Sequence, residues 1–196
     1  MHRSIRPLRL VEVLAAVLGF AALVFAAPAM AAPSCPKSST SHPFAKFGDN
    51  AAYTLLAGGS FESGTPGWSL SHAAVASGNE SDNIVSGSHS LAIQPNGEAV
   101  SPAFCVNSEY PDFRFFARQT SGSWAVLNVI VRWTDSSGTH ETTSGSLQSG
   151  TSWALSPVMK LGNMMPGQVT ARLVFKPEPY GGAWAIDDVF VDPYSR

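Results

Sequence analysis

The sequence lacks most of what catalysis would require. It contains no H-E-x-x-H run, no Cys/His metal spacing, no glycine-rich phosphate loop and no nucleophile elbow. Its histidines, His2, His42, His72, His89 and His140, are scattered. His140 and Glu141 are adjacent, but on a strand the pleat sends neighbours to opposite faces. Glu80 and Asp82 flank Ser81 and are a pair of carboxylates of the sort glycoside hydrolysis uses. Their polar surroundings read instead as a solvated loop. No nucleophile, base and orienting group can be assigned together, so the expectation is a protein that is not an enzyme.

Long apolar runs are equally scarce. Leu14 to Ala27 is uncharged and apolar but too short for a comfortable membrane span. It follows Arg3, Arg6 and Arg9 and precedes Ala29-Met30-Ala31, which together read as a secretory signal peptide over residues 1–31. Cleavage is expected after Ala31, because a cut one residue later would leave Pro33 first. There is no twin-arginine pair, and Ala32-Pro33-Ser34 before Cys35 is a poor lipidation context. The expected location is secreted, either extracellular or associated with the cell wall. Once Arg3, Arg6, Arg9 and Glu12 are gone, nine basic and thirteen acidic residues remain, a net charge of −4. That balance argues against a nucleic-acid partner, which favours a basic surface. The remaining length suits one monomeric domain with a full core.

Cysteine is nearly absent: Cys35 and Cys105 are the two present, and both survive cleavage. In an oxidising compartment the simplest outcome is one disulfide, with two free thiols as the alternative. By the chain-entropy model, closing so long a loop stabilises the fold by roughly 4 kcal/mol.

What is present is strand. Residues 32–50, rich in Ser and Pro, read as a tether, with Phe44-Ala45-Lys46-Phe47 able to lie on the domain as a hydrophobic latch. From Ala51 to Arg196 there is no helical periodicity. Short β-branched and aromatic runs are divided by Gly, Ser, Asn and Pro. Strands are predicted at Tyr53–Ala57, Trp68–Ala76, Ser90–Gln94, Glu98–Val106, Asp112–Gln119, Ser123–Asp135, Thr139–Leu147, Trp153–Leu161, Gln168–Lys176 and Ala183–Val191. Asp135-Ser136-Ser137-Gly138 is a hairpin turn. Strands at this density without helices imply an all-β antiparallel sandwich or jelly roll.

Period-2 alternation assigns faces. Leu127, Val129, Val131 and Trp133 are expected inside, as are Phe113 and Phe115, and Val169, Ala171, Leu173 and Phe175. The opposite parity holds Arg114, Phe116, Arg118, Asn128, Ile130, Arg132, Arg172 and Lys176. If these strands share a sheet, Arg114, Phe116, Arg118, Asn128, Arg132 and Arg172 form a basic ligand-binding patch on an acidic protein. Guanidinium forks suit carboxylate, sulfate or phosphate groups, and Phe116 would stack on a sugar face. The expected partner is an anionic glycan or cell-wall polymer. Trp124, Trp153, Tyr110 and Tyr180 lie near turns and are platform candidates. Tyr180-Gly181-Gly182 stands out, because glycines allow close approach beside the ring.

Two motifs bracket the domain. Gly58-Gly59-Ser60-Phe61-Glu62, with Gly67-Trp68 after it, opens the domain, and Trp184-Ala185-Ile186-Asp187-Asp188-Val189-Phe190-Val191 closes it. With Gly87-Ser88-His89-Ser90-Leu91 between them, the pattern resembles galactose-binding-like jelly rolls. Carbohydrate-binding modules of the xylan- and glucan-binding kind share it, and the chain is similar to small secreted actinobacterial proteins built from this one domain. The resemblance covers about residues 51–196 and implies a jelly roll whose end strands pair. It also implies a structural calcium held by the Ser60 carbonyl, the Glu62 carboxylate, the backbone near Gly87 and the Asp187 carboxylate, since calcium takes six to eight oxygens. Function does not transfer with fold, so a protein-interaction or structural domain is the alternative to a glycan-binding module.

The leader and cysteine readings are checked together by mass spectrometry of the exported protein. The expected product begins at Ala32, and its non-reduced digest joins the Cys35 and Cys105 peptides.

Overall fold

The computed structural model describes residues 39–106, 112–148, 150–161 and 169–192. All of them fall in the compact unit Ala32–Arg196. The leader, Cys35, Tyr110 and Arg196 lie outside the described residues.

Eleven strands form the domain: β1 (Thr54–Leu55), β2 (Ser69–Ser77), β3 (His89–Val100), β4 (Phe104–Val106), β5 (Asp112–Gln119), β6 (Val126–Asp135), β7 (Gly138–Gln148), β8 (Ala154–Leu155), β9 (Met159–Lys160), β10 (Val169–Pro177) and β11 (Trp184–Val191). Among the described residues the one helical element is a 3₁₀ turn, Ala45–Phe47. All strand pairs are antiparallel, in the order β7-β6-β10-β3-β11-β5-β8. Beside that path β1 pairs with β11, β2 with β3, β4 with β10 and β9 with β5.

This single curled sheet folds over on itself as a sandwich. One layer is β8 and β9, β5, β11 and the first part of β3. The other is β7, β6, β10, β4 and the end of β3. β3 belongs to both, pairing Leu91–Ile93 with β11 and Ala99–Val100 with β10. The sequence suggested two strands divided at Pro95-Asn96-Gly97. The chain instead passes through that segment without leaving the sheet, with Asn96 at φ +61° and a matching slip in β2 between Ser71 and Ala73. Such an irregularity bends a strand and lets it change layers. The predicted strand Trp153–Leu161 divides into β8 and β9 around Pro157, which has no N–H to give a ladder.

The predicted core faces hold. Leu127, Val129 and Val131 of β6, Phe113 and Phe115 of β5, and Ala171, Leu173 and Phe175 of β10 are completely buried in one cluster with Leu91, Ile93 and Ile186. Aromatic contacts cross it from Phe61 to Trp68 (5.1 Å), Trp68 to Phe175 (6.1 Å) and Phe175 to Phe115 (4.9 Å). The opening and closing motifs pair as expected. Thr54 faces Val191, the Leu56 amide donates to the Val189 carbonyl and the Val189 amide to that of Gly59.

A second apolar cluster lies on the outer face of the β5–β11 layer. It contains Phe44, Ala51, Tyr53, Phe116 and Phe190, with Trp153, Leu155, Ile84 and Val85 around it. Part of the expected tether is therefore anchored on the domain, with Phe44 buried and most of its neighbours exposed. Ser41 bridges to Tyr53, and the Phe44 ring meets Tyr53 at 5.0 Å and Phe190 at 5.4 Å. The latch reading was right for Phe44, while Phe47 stays 40% exposed. Phe44→Ala should cost about 3 kcal/mol, as expected for emptying a buried aromatic site. Urea unfolding measures it, and a loss below 0.5 kcal/mol would mean that the segment is not part of the folded unit.

Candidate functional site

The closing motif carries the most unusual local geometry. Along β11, Trp184 and Ile186 enter the main core, and so do Val189 and Val191. That change of parity needs one extra residue, and the register with β5 slips between Asp187 and Phe190. Asp188 absorbs the bulge at φ +48°, a region that Asp tolerates better than most residues. As a result Asp187 and Asp188 both leave the core side, and both are completely buried under the loop that follows β2.

That loop is held by carboxylates accepting backbone N–H groups. The Glu80 amide donates to Asp187 Oδ2 (3.0 Å) and the Val85 amide to Asp188 Oδ2 (2.8 Å). The Glu80 carboxylate accepts the amides of Asp82 and Ile84. Glu62 Oε1 accepts those of Ser88 (2.9 Å) and His89 (2.6 Å), and its Oε2 lies 3.1 Å from His89 Nδ1. Gly87 is required here, because an added Cβ would stand 2.1 Å from Glu62 Cδ. The solvated-loop reading of Glu80 is corrected: the residue is 97% buried, because its carboxylate is the centre around which the loop turns. Asp82 instead pairs at the surface with Lys46 (3.1 Å).

Burial and the charge of its neighbour Asp188 push the Asp187 carboxyl up to about 8. Burial, with the charges of Glu80 and Glu62, pushes Asp188 up to about 7. The expected calcium ligands are thus only partly brought together. Glu62 and Gly87 meet, and Asp187 is turned to the Glu80 amide. The acid whose charge is coupled to Glu62 is Asp188, which the bulge brings to the outer face and which alternation could not identify. Asp188 Oδ1 is buried without a hydrogen-bond partner. Among the described residues no three Asp, Glu, His or Cys side chains converge on one metal position, so carbonyls would have to complete any shell.

The arginines do not form one patch. Arg114 and Arg118 stand outside the β5 layer, Arg132 and Arg172 outside the β6–β10 layer. Both layers turn their other faces into the same core, so the two pairs look in opposite directions. Phe116 is corrected from a sugar platform to a core residue, because the chain around Phe44 covers it. Arg114 is engaged there too. It pairs with Asp49 (3.1 Å), donates to the Ser156 carbonyl through Nη2 (2.6 Å) and lies 5.4 Å from the Phe44 ring centre. Burial opposes ionisation of Asp49, but the Ala51 amide, the Tyr53 hydroxyl and Arg114 outweigh it and hold the carboxyl below its usual range. Arg118 lies over the Trp153 ring at 5.0 Å.

The opposite face is ordered in rows, with Val174 and Val100 buried and Ile130, Asn128, Arg132 and Arg172 half-buried. Ser146, Asn128 and Lys176 stand opposite one another across β7, β6 and β10. The next row is Thr143, Ile130, Val174 and Val100, and the one after it Glu141, Arg132 and Arg172. Arg132 bonds Glu141 (2.5 Å) and leans over the apolar row to Glu98 (3.8 Å), which Lys176 also approaches (3.8 Å). Arg172 Nη1 donates to the Ser101 carbonyl (2.8 Å). The expected basic patch is therefore charge-balanced, with Arg132 and Lys176 set against Glu98 and Glu141.

Ser137, His140 and Asp135 meet at the β6–β7 turn. Both oxygens approach the same imidazole nitrogen, Nε2, at 3.0 Å, so no relay from Asp through His to Ser exists. His140 stacks on Trp133 (5.3 Å) and Glu141 turns to Arg132, on opposite faces as expected.

Trp124 and Tyr180 are exposed as the sequence suggested, 86% and 100%, on the loops before β6 and β11. Trp153 is half-buried and Trp68, whose Nε1 donates to the Ala57 carbonyl (3.0 Å), belongs to the core.

No family model matches the chain, and no curated protein is similar to it in sequence. Solved structures are similar to it in shape. The CBM22-1 xylan-binding domain of Paenibacillus barcinonensis Xyn10C aligns at TM-score 0.52 and 17% identity, covering 70% of this chain and 92% of that one. The fold is the jelly roll of carbohydrate-binding modules. The CBM22-1–GH10 modules of Clostridium thermocellum Xyn10B, complexed with xylohexaose, align at TM-score 0.52 and 13% identity over 67% of this chain and 27% of that one. The enzymatically active domain of bacteriophage CBA120 tailspike protein 4 aligns at 0.51 and 18%, over 71% of this chain but only 21% of its own.

The acid cluster makes a signed prediction. With divalent ions chelated, the raised Asp187 and Asp188 groups keep protons in the folded state that the unfolded chain releases near pH 4. Their contribution to stability is therefore complete below pH 4 and lost as pH rises through 7 to 8. Thermal melts in EDTA should show a falling Tm over that window, and Asp188→Asn should flatten the fall. Glu80→Ala, which strips two buried amides of their acceptor, should cost about 2 kcal/mol or more.

Proposed function

We propose that the chain is a secreted, non-catalytic module that binds a glycan on the outer face of β7, β6, β10 and the end of β3. The observation that carries this reading is the row arrangement on that face: the half-buried Ile130, with Val174 buried beside it, lies between a polar row of Asn128 and Lys176 and another of Arg132 and Arg172. A pyranose ring has an apolar face edged by hydroxyls, and an apolar spot at Ile130 with donors and acceptors on both sides complements it. The likeness in fold to modules that bind xylan and xylohexaose supports the reading. Of the residues expected to bind, Asn128, Arg132 and Arg172 remain on this surface, while Arg114, Phe116 and Arg118 belong to the opposite, covered side.

The sequence favoured an anionic polymer, on the premise that these arginines share one face. Because Arg132 is committed to Glu141 and Glu98, an anion must displace a carboxylate, and a ligand of low charge is favoured. A structural calcium near Glu62, Gly87 and the Asp187-Asp188 pair belongs to the same proposal. The free Asp188 Oδ1 and the surplus of carboxylates supply the negative charge such an ion takes. The disulfide between Cys35 and Cys105 and export by the leader complete it.

A glycan array run with calcium and with EDTA tests the proposal. Retention of a neutral or weakly charged polysaccharide, weakened at least about tenfold by Arg132→Ala, is expected. No glycan bound, alongside a defined protein captured at the cell surface, would replace it with the interaction-domain reading. Calcium should raise Tm by several degrees and more at pH 8 than at pH 5, because a cation competes with the protons held there.

A further inference from the structure

Two aromatic rings are left in solvent at one end of the sandwich, and the backbone beneath them is held rigidly. Trp124 lies in the loop Thr120–Ala125, and Tyr180 occupies the turn Glu178–Gly181, closed by the Gly181 amide on the Glu178 carbonyl (3.3 Å). Pro179 stands at the second position of that turn, where its fixed φ is favoured, and Tyr180 follows it. Neither ring packs against another ring among the described residues. Burying either would be favourable, so the sequence leaves that stabilisation unused in the isolated domain.

The loops are locked to each other through glycine. An added Cβ at Gly181 would meet the Trp124 carbonyl at 2.8 Å, at Gly122 the Gly181 carbonyl at 2.1 Å, and at Gly182 the Ser121 carbonyl at 2.0 Å. No side chain fits between the two backbones. Hydrogen bonds complete the lock. The Glu178 amide donates to the Val126 carbonyl (2.9 Å), the Thr120 amide to the Ala183 carbonyl (2.8 Å) and the Ala183 amide to Ser121 Oγ (3.1 Å). Gln119, 96% buried, donates its side-chain amide to the Ser121 carbonyl (3.0 Å) and to that of Gly122. The two rings are thus carried on a platform whose ordering cost is met in folding, the condition under which exposed aromatics bind best.

The chemistry around the rings selects the occupant. Thr120, Ser121, Ser123 and Glu178 are exposed beside them, and neither loop carries Lys or Arg. Hydroxyls and a carboxylate suit a polyhydroxylated ligand, whereas an anionic polymer or an anionic membrane calls for basic residues. We propose that Trp124 and Tyr180 form a loop-tip site for the pyranose rings of a neutral glycan, separate from the sheet face. This rests on the glycan-binding reading and adds a second point of contact at the end of the domain. Two contacts on one chain would raise retention on a polymer well above that on a short oligosaccharide.

The experiment compares the exported protein with Trp124→Ala, Tyr180→Ala and the double variant. Binding is read by titration with xylohexaose and by retention on insoluble xylan and cellulose, with neutral phosphatidylcholine vesicles as the membrane arm. The expected result is at least about tenfold weaker polysaccharide retention for each single variant and near loss for the double one, with Tm unchanged because the rings bury little. If the wild type binds and the double variant binds equally, the loop-tip site is overturned and the glycan reading stands. If the wild type binds no neutral polysaccharide, both fall. Vesicle binding lost in the double variant, without polysaccharide binding, would overturn the site in favour of a membrane surface.

Discussion

The arrangement turns on carboxylates that accept backbone N–H groups. Glu62, Glu80, Asp187 and Asp188 together take the amides of residues 80, 82, 84, 85, 88 and 89, and so fix an entire loop without a regular strand or helix in it. An irregular segment over a buried surface must satisfy its polar backbone somehow, and ionised or shared-proton carboxyls are strong acceptors. Ile84 and Val85 are thereby laid against Phe190 and Phe116, and that closes the outer cluster. The cost is a concentration of like charge in a poorly solvated place, visible in the raised Asp187 and Asp188.

The two outer faces have consequently diverged. One is capped by Phe44, Tyr53 and the carboxylate-bound loop, so its arginines serve packing. Arg114 ties the chain around Asp49 to the Ser156 carbonyl. On the other, Val174 is buried, and the charges around it are set off against each other in the Glu141–Arg132–Glu98–Lys176 network. Residues of one type and one parity thus do different jobs according to what lies over them.

Much of the fold was legible because period-2 alternation is a direct record of burial. Leu127, Val129 and Val131 needed nothing more, and the turn at Asp135–Gly138 was explicit in its residues. Three things were not legible, each for a physical reason. Alternation names a face but not its cover. Phe116 was given the right side, but its burial comes from Phe44, 72 positions earlier in a Ser- and Pro-rich segment. Parity within a strand says nothing about which layer that strand joins, so the arginines of β5 and those of β6 and β10 were merged. A bulge adds a residue without a composition of its own, and Asp187-Asp188 reads the same whether the strand is regular or slipped. The exposed Trp124 and Tyr180, by contrast, sat between small and turn-forming residues, a signal strong enough to be read.

β11 also settles how the domain would face its surroundings. Its first residue, Trp184, follows directly from the loop that carries Tyr180, and its last, Val191, pairs with Thr54, whose hydroxyl bonds the Ser39 carbonyl. Eight residues of strand separate those points by about 25 Å. Ser39 and Asp192, the first and last of the described residues, therefore lie at one end of the sandwich, and the two free rings stand at the other. A tether fixed to Ser39 or Asp192 would point the aromatic end away from the point of attachment.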